Sequence, residues 1–278
     1  MEKLQKALLK AREQRSDDAP APHRKTASPR SKAGLSAPSR DALWDAIPNF
    51  EPDPDHLSDN RIVAMDARAE ATPLDILRTK VQLMMQKNGW TRLAVTSPHA
   101  SCGKTTIACN LALGLSRQAG IRAALVELDL RRPNVAKTIG HTPDRCVTEM
   151  LSGKVSFAEQ AYRVRGNVAI SAAQRPFPDP TSILLDQRTR EALAHIDNEY
   201  APDIVIYDMP PLLVSDDTRA FLKEVDCALL VAKAEATTIA QIDTCEREIS
   251  EQTNILGVIL NQYRHSSDQG TGYDRQYG

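Results

Sequence analysis

Apolar residues between positions 92 and 261 fall in short runs that alternate with segments of helical periodicity. The runs predict strands, among them IVIY at 204–207 and CALLVA at 227–232. The segments between them predict helices, such as 105–118 and 238–252. Continuous apolar strands are typical of a parallel sheet that is covered on both faces. The pattern therefore predicts an α/β domain with a doubly wound, mostly parallel sheet and helices on both faces.

Shorter segments continue the same alternation. An amphipathic helix is predicted from Leu74 to about Gly89, because apolar side chains such as Leu77 and Val81 recur at helical spacing. Further strands are predicted at 92–96, 123–128, 168–171 and 255–261. Further helical segments are predicted at 148–151, 157–161, 180–196 and 218–223.

The chain before residue 66 has a different character. Residues 1–15 carry apolar side chains at helical spacing and predict an N-terminal amphipathic helix, which is either a docking helix or a frayed tail. Residues 16–65 are predicted to be mostly a disordered linker, because their first half is rich in Pro, Ser, Ala and Arg. Four apolar residues near the end of this linker indicate a segment that packs onto the main domain: Trp44, Ile47, Phe50 and Ile62. The remaining predicted units are a main domain at 66–262 and a flexible tail at 263–278.

Composition narrows the function classes only slightly. With a net charge of -1 over 278 residues, the chain offers no general electrostatic reason to bind nucleic acid, and we expect none. The five cysteines are an odd number without metal-ligand spacing, which indicates reduced thiols. No apolar run in the sequence approaches the roughly 18–20 residues that cross a bilayer. We therefore expect a cytoplasmic protein that is soluble or is held at a membrane only by partners.

The strongest motif lies between the predicted strand at 92–96 and the helix that follows it. It reads TSPHASCGKTT, from Thr96 to Thr106. A glycine lets the loop backbone approach phosphate, a lysine reaches the β- and γ-phosphate oxygens, and a threonine hydroxyl binds Mg²⁺. The first glycine of the usual P-loop pattern is replaced by Pro98, so the alternative is a surface loop that contains a lysine. The motif predicts ATP and Mg²⁺ as cofactors, held by Ser101, Cys102, Gly103, Lys104, Thr105 and Thr106.

Two other strands end in carboxylates. Glu127 and Asp129 close the predicted strand at 123–128, and their alternation places them on one face. Asp208 follows the strand IVIY. The carboxyl ends of parallel strands lie over the crevice where doubly wound folds bind ligands, and Mg²⁺ prefers one or two carboxylates beside phosphate. The sequence therefore predicts that these acids converge on the phosphate loop, although acids at strand ends are also common as solvated caps.

Together these motifs resemble the bacterial tyrosine kinase family of capsule and exopolysaccharide synthesis. TSPHASCGKTT is similar to the family's Walker A loop, ELDLRRP to its second acidic motif and IVIYDMPP to its Walker B motif. The resemblance covers about two-thirds of the chain, from Leu74 to Asn261. The superfamily also contains partitioning and septum-placing ATPases, but those carry an additional loop lysine where this chain has His99.

The resemblance implies roles for individual residues. Lys104 and Thr105 would bind phosphate and Mg²⁺, Asp208 would belong to the metal shell, and Asp129 would support the metal through water. Glu127 stands where the family has an aspartate that is proposed to assist the attacking phenol, which makes Lys104, Glu127, Asp129 and Asp208 the predicted catalytic set. The family usually ends in a dense tyrosine cluster that is autophosphorylated. This tail offers Tyr263, Tyr273 and Tyr277 as acceptors.

The resemblance also implies a partner, a membrane protein that regulates polysaccharide chain length and activates the kinase. The family's oligomerising helix carries E-x-x-R-x-x-R, whereas this chain has Thr72, Asp75 and Arg78 at those positions, so a homo-oligomer stays an open expectation. Three hypotheses follow. The first is a protein-tyrosine autokinase that regulates exopolysaccharide export. The second is a nucleotide-dependent switch for the same partner without kinase turnover, and the third, which is less favoured, is a partitioning-type ATPase.

Overall fold

The computed structural model describes residues 39–263, and a seven-stranded sheet lies at the centre of this part of the chain. The strands are β1 Arg92–Thr96, β2 Ala123–Glu127, β3 Tyr162–Val164, β4 Val168–Ser171, β5 Ile204–Asp208, β6 Cys227–Lys233 and β7 Asn254–Asn261. They lie in the order β3-β4-β2-β5-β1-β6-β7. Neighbouring strands are parallel except β3 and β4, which are antiparallel. The predicted doubly wound, mostly parallel fold is confirmed.

Helices and short turns connect these strands. The α-helices are α1 Arg40–Asp45, α2 Pro54–Asp59, α3 Thr72–Asn88, α4 Lys104–Leu115, α5 Val135–Ile139, α6 Val147–Leu151, α7 Phe157–Gln160, α8 Pro180–Leu185, α9 Gln187–His195, α10 Asp216–Phe221 and α11 Ile239–Ser250. Segments Ala69–Ala71 and Leu222–Glu224 are 3₁₀ turns, and Ile196–Tyr200 is a π turn after α9. The helix predicted over 180–196 is divided, because Asp186 is extended and its side chain accepts a hydrogen bond from the N–H of Arg188, which caps α9.

Two hydrophobic cores cover the two faces of the sheet. Helices α3, α4 and α5 pack on one face, where Val81, Leu111 and Ile139 belong to the same buried cluster as residues of the strands. Helices α6 to α11 pack on the other face. The strands lie between both layers, so β1, β2 and β5 are buried almost along their full length. This double burial explains their continuous apolar sequence.

The structure contradicts the prediction that the disordered linker extends to residue 65, and it agrees with the prediction that a segment near its end packs onto the main domain. The side chain of Trp44 is buried in the core on one face of the sheet, and Leu57 and Ile62 are buried in the core on the other face. The Trp44 indole N–H donates to the carbonyl of Tyr200 at 2.8 Å. The Asn110 side chain accepts hydrogen bonds from the N–H groups of two residues in this segment. Residues 39–65 are therefore part of the domain.

The short strand β3 is absent from the sequence prediction. It has only three residues and follows α7 almost directly, so its apolar pattern is too short to distinguish from the end of a helix. Its free edge is not bare, because the N–H of Phe50 donates to the carbonyl of Arg163 and the N–H of Arg163 donates to the carbonyl of Pro48. The segment before residue 65 thus covers an edge of the sheet.

The predicted N-terminal helix at 1–15 lies outside the described residues, as do the linker up to residue 38 and the tail from residue 264, including Tyr273 and Tyr277. None of the helices in residues 39–263 combines the length and apolar character that a membrane crossing requires.

Candidate nucleotide site

The loop between β1 and α4 has the backbone conformation of a phosphate-binding loop. Ser101 and Gly103 both adopt positive φ angles, of 63° and 90°. A Cβ atom on Gly103 would lie 2.2 Å from Nδ2 of Asn261, which is closer than atoms can approach. The φ angle therefore favours glycine at position 103, and any side chain there would also displace the Asn261 amide. Helix α4 begins directly after it, so its N-terminus faces the loop.

Lys104, Thr105 and two carboxylates converge at this loop. Nζ of Lys104 lies 2.6 Å from Oδ2 of Asp129 and 3.5 Å from Oδ1 of Asp208. The hydroxyl of Thr105 donates to Oδ2 of Asp208 at 2.7 Å. Burial alone would lower the pKa of Lys104, but the charges of Asp208 and Asp129 outweigh it and raise this pKa. The ammonium therefore keeps its charge.

These groups line a cavity of about 720 Å³. One wall is polar and includes Ser101, Gly103, Lys104, Thr105, Thr106 and Asp129. The lining also includes Pro210, Pro211 and the exposed side chain of Val214. Arg131 and Arg132, from the motif ELDLRRP, lie at the same cavity. The space and the lining suit a polyphosphate with an organic group attached.

The structure does not bring Glu127 to this cavity, contrary to the prediction. Its side chain is fully buried, and both oxygens accept backbone hydrogen bonds. Oε1 accepts the N–H groups of Asn134 and Val135 at 2.5 and 2.8 Å, and Oε2 accepts the N–H of Ala173 at 2.8 Å. Burial raises the pKa of Glu127 to about 7, although the three backbone donors act to lower it. Glu127 thus fixes the start of α5 and the segment after β4, and it has no path to a substrate in the cavity.

The expected alternation of Glu127 and Asp129 fails for a geometric reason. The N–H groups of Leu128 and Asp129 both donate to the carbonyl of Asp208, each at 2.9 Å. Two consecutive residues that bind one carbonyl do not alternate as residues of a regular strand do. Asp129 consequently turns to the cavity while Glu127 stays in the interior.

Cys102 belongs to the predicted phosphate loop through its backbone only. Its side chain is buried in the core beside α4 and is not part of the cavity wall. Its backbone belongs to the loop, so only main-chain groups of Cys102 are in a position to contact a ligand. Like Cys102, the four other cysteines are free and buried.

Sequence reasoning missed Asn261 and Gln262, and it did not identify Asp217 as the partner of Arg131. The side-chain amide of Asn261 donates to the carbonyl of Cys102 at 2.8 Å, and that of Gln262 donates to the carbonyl of Ser101 at 3.0 Å. The Arg131 guanidinium, which lies at the cavity, binds both oxygens of Asp217, at 2.6 and 3.0 Å. The position of Asn261 at the carboxyl end of a predicted parallel strand is the signal that points to it, since ligand sites lie at that edge.

The oxygen donors fit a magnesium ion that shares its ligands with a phosphate. The Thr105 hydroxyl and the carboxylates of Asp208 and Asp129 are hard oxygen groups close together, which Mg²⁺ prefers. In residues 39–263 no group of three or more His, Cys, Asp or Glu side chains could hold a metal ion by itself. A magnesium ion here would therefore depend on phosphate and water for its remaining ligands, as is usual for this ion.

A doubly wound sheet with a phosphate loop and acids at the neighbouring strand ends defines a P-loop nucleotide-binding domain. Residues 93–275 match the CobQ/CobB/MinD/ParA nucleotide binding domain family, and the chain belongs to this family.

Its relatives confirm the resemblance to bacterial tyrosine kinases. The tyrosine-protein kinase Wzc of Salmonella typhi is 28% identical over 205 residues, which are 73% of this chain and 27% of Wzc. The kinase domain of Escherichia coli tyrosine kinase ETK superposes with a TM-score of 0.67 at 23% identity, over 75% of this chain and 82% of that domain. The VpsO kinase domain superposes with a TM-score of 0.62 at 25% identity, over 69% and 96% of the two chains. This chain spans 30% or less of the length of the curated relatives it matches.

Proposed function

We propose that this chain is an ATP-dependent protein-tyrosine kinase that phosphorylates its own tail and regulates exopolysaccharide or capsule production. The observation that carries the proposal is the convergence of Lys104, Thr105, Asp129 and Asp208 on one cavity, in a chain similar to tyrosine-protein kinases. Phosphoryl transfer depends mainly on positioning and charge neutralisation, so such a set of residues suffices for it.

In this proposal each group of the site has a separate task. The Lys104 ammonium binds the β- and γ-phosphate oxygens, and the backbone N–H groups of the loop bind the others. Thr105 and Asp208 hold Mg²⁺, with Asp129 in support through water, and the ion neutralises phosphate charge. The phenol oxygen attacks the γ-phosphorus while ADP leaves. Because Asp129 faces the cavity and Glu127 does not, Asp129 is the acid of ELDLRRP that is in a position to accept the phenol proton.

The partner and the acceptors are further parts of the proposal. A membrane protein that controls polysaccharide chain length recruits the kinase to the inner face of the membrane and activates it. Tyr263, which directly follows a residue of the cavity wall, and the tail tyrosines Tyr273 and Tyr277 are the acceptors. A homo-oligomer would bring the tail of one copy to the site of another.

The decisive experiment incubates the purified chain with Mg-ATP, with and without the cytosolic part of the membrane partner. We expect phosphotyrosine at Tyr263, Tyr273 or Tyr277, and its loss in Lys104→Ala. Lys154→Ala, which alters an exposed lysine outside the cavity wall, serves as the matched control and should keep the activity. Mg-ATP binding without phosphotyrosine under both conditions would instead establish the nucleotide-dependent switch. Absence of Mg-ATP binding would contradict both functions.

A further inference from the structure

The phosphate loop is held from outside by the end of β7. The amides of Asn261 and Gln262 donate to two successive loop carbonyls, those of Cys102 and Ser101. Asn261 also occupies the space that a side chain at Gly103 would need. The last strand of the sheet and the loop are thus in direct contact, although Asn261 and Cys102 are 159 residues apart in the sequence.

These hydrogen bonds determine where the loop N–H groups point. In a trans peptide the C=O and the following N–H point in opposite directions. When the carbonyls of Ser101 and Cys102 are held towards β7, the N–H groups of Cys102 and Gly103 must turn away from it. Phosphate-binding loops work through such inward N–H groups, which must be oriented before the anion arrives. The contact with β7 therefore supplies the orientation.

The end of β7 is itself well fixed. Asn261 pairs with Lys233 of β6, and its carbonyl accepts the N–H of Ala234 at 2.9 Å. Gln262 lines the cavity wall, whereas Asn261 does not. Asn261 consequently influences a ligand through the loop rather than by touching it.

We propose that Asn261 is a positioning residue that holds the phosphate loop in its nucleotide-binding conformation, with Gln262 as a weaker second contact. The proposal rests on the proposed nucleotide site. In it, the carboxyl end of β7, which directly precedes the tail, holds the phosphate loop in position. Without the Asn261 amide, the peptide between Cys102 and Gly103 becomes free to rotate, and the loop loses part of its orientation before binding.

The same strand contains a matched control. Asn254 begins β7 at the opposite end, and its Nδ2 donates to the carbonyl of Asp226 at 2.8 Å. Asn254→Leu and Asn261→Leu therefore remove the same amide-to-carbonyl hydrogen bond from one strand, and they differ in whether the carbonyl belongs to the loop. Leucine introduces no charge, so neither variant repels phosphate directly.

Two measurements test the proposal on the full chain. In Asn261→Leu we expect the Kd for Mg-ADP to rise about tenfold, the effect of losing roughly one hydrogen bond. In the nucleotide-free protein we expect the NMR order parameters of the Cys102 and Gly103 amides to fall from about 0.85 to below about 0.6. Asn254→Leu should change neither value. Asn261→Ala should reproduce the result and replaces the leucine variant if that variant unfolds.

The outcomes separate the proposal from its alternatives. If the affinity falls while the nucleotide-free loop stays as ordered as in the wild type, Asn261 touches the nucleotide itself and the positioning role is wrong. Equal losses in Asn254→Leu would show a general effect of weakening β7, which also overturns it. Failure of the wild-type chain to bind Mg-ADP would refute the proposed function, whereas the order parameters would still decide whether Asn261 holds the loop.

Discussion

Strands β2 and β5 lie side by side and both end in a carboxylate, Glu127 opposite Asp208, yet the two acids have different partners. Glu127 is bound by three backbone N–H groups. Asp208 is bound by the side chains of Lys104 and Thr105. Backbone donors cannot leave without unfolding a segment, whereas side chains can rotate towards a ligand. Equal burial and adjacent positions therefore give one structural acid and one acid that is available to a metal.

Substitution of Asp208 is expected to have the largest effect on activity. Asp208→Asn should lower tyrosine phosphorylation by about 10³-fold, because it removes a carboxylate that holds Mg²⁺. The ion contributes several kcal/mol to stabilisation of the transition state. Transfer of labelled phosphate and calorimetry with ADP at varied magnesium concentration measure the change. Asp226→Asn alters a carboxylate at the opposite end of the sheet, where it accepts the N–H groups of Thr91 and Arg92. That variant should keep the magnesium dependence, and its loss there would contradict the assignment.

A smaller effect is expected at the hydroxyl that joins the loop to Asp208. Thr105→Val keeps the shape of the side chain but removes the hydroxyl, and it should lower the rate by about 10²-fold. Thr105→Ser retains the hydroxyl and should remain within a few fold of the wild type. Steady-state rates at saturating Mg-ATP compare the two. Similar rates in both variants would mean that the hydroxyl has no role in metal binding.

Glu127→Gln tests the other side of the comparison. The glutamine amide would face the N–H of Ala173 and leave a buried donor unpaired, which costs about 1–3 kcal/mol. Urea unfolding at about pH 5 should show this loss, while the magnesium dependence of ADP binding persists. A large loss of phosphoryl transfer with unchanged stability and ADP affinity would instead identify Glu127 as a catalytic group.

A pH trend of similar size is expected in the same variant. The folded chain raises the pKa of Glu127 from 4.5 to about 7, so it binds more protons than the unfolded chain between these values. Stability from this group is therefore present below the lower pKa and is lost as pH rises through the upper one. The stability difference between wild type and Glu127→Gln should shrink by about 1–3 kcal/mol from about pH 5 to 8. A constant difference would show that the carboxyl titrates normally.

Much of the fold could be predicted because the central strands are buried on both faces. Their apolar runs leave few alternatives, and the predicted strand at 92–96 coincides with β1. Residues 39–65 were harder to predict, since their apolar residues are isolated and each binds a different part of the domain. Neither the pocket for Trp44 nor the contacts of Asn110 follow from local sequence patterns.

The site shows the same division between local and distant information. The positions of Gly103, Lys104 and Thr105 follow from a contiguous motif, and the structure places them together as that motif suggests. The orientation of Glu127 depends on donors from two other segments, and the tether from Asn261 depends on the register of β7. Such contacts arise from the packing of elements that are distant in sequence. The amino-acid sequence of one protein alone does not reveal them.

The burial of Trp44 has a practical consequence for the design of N-terminally truncated variants. Its side chain is 1% exposed and meets the ring of Tyr200 edge to face, so it anchors helix α1 to the rest of the domain. A shortened version that starts at residue 66 would lose Trp44 and expose the apolar residues that it covers. Exposed apolar patches of this kind promote aggregation. A version that starts at Ser39 keeps the hydroxyl that caps α1 and should stay monodisperse.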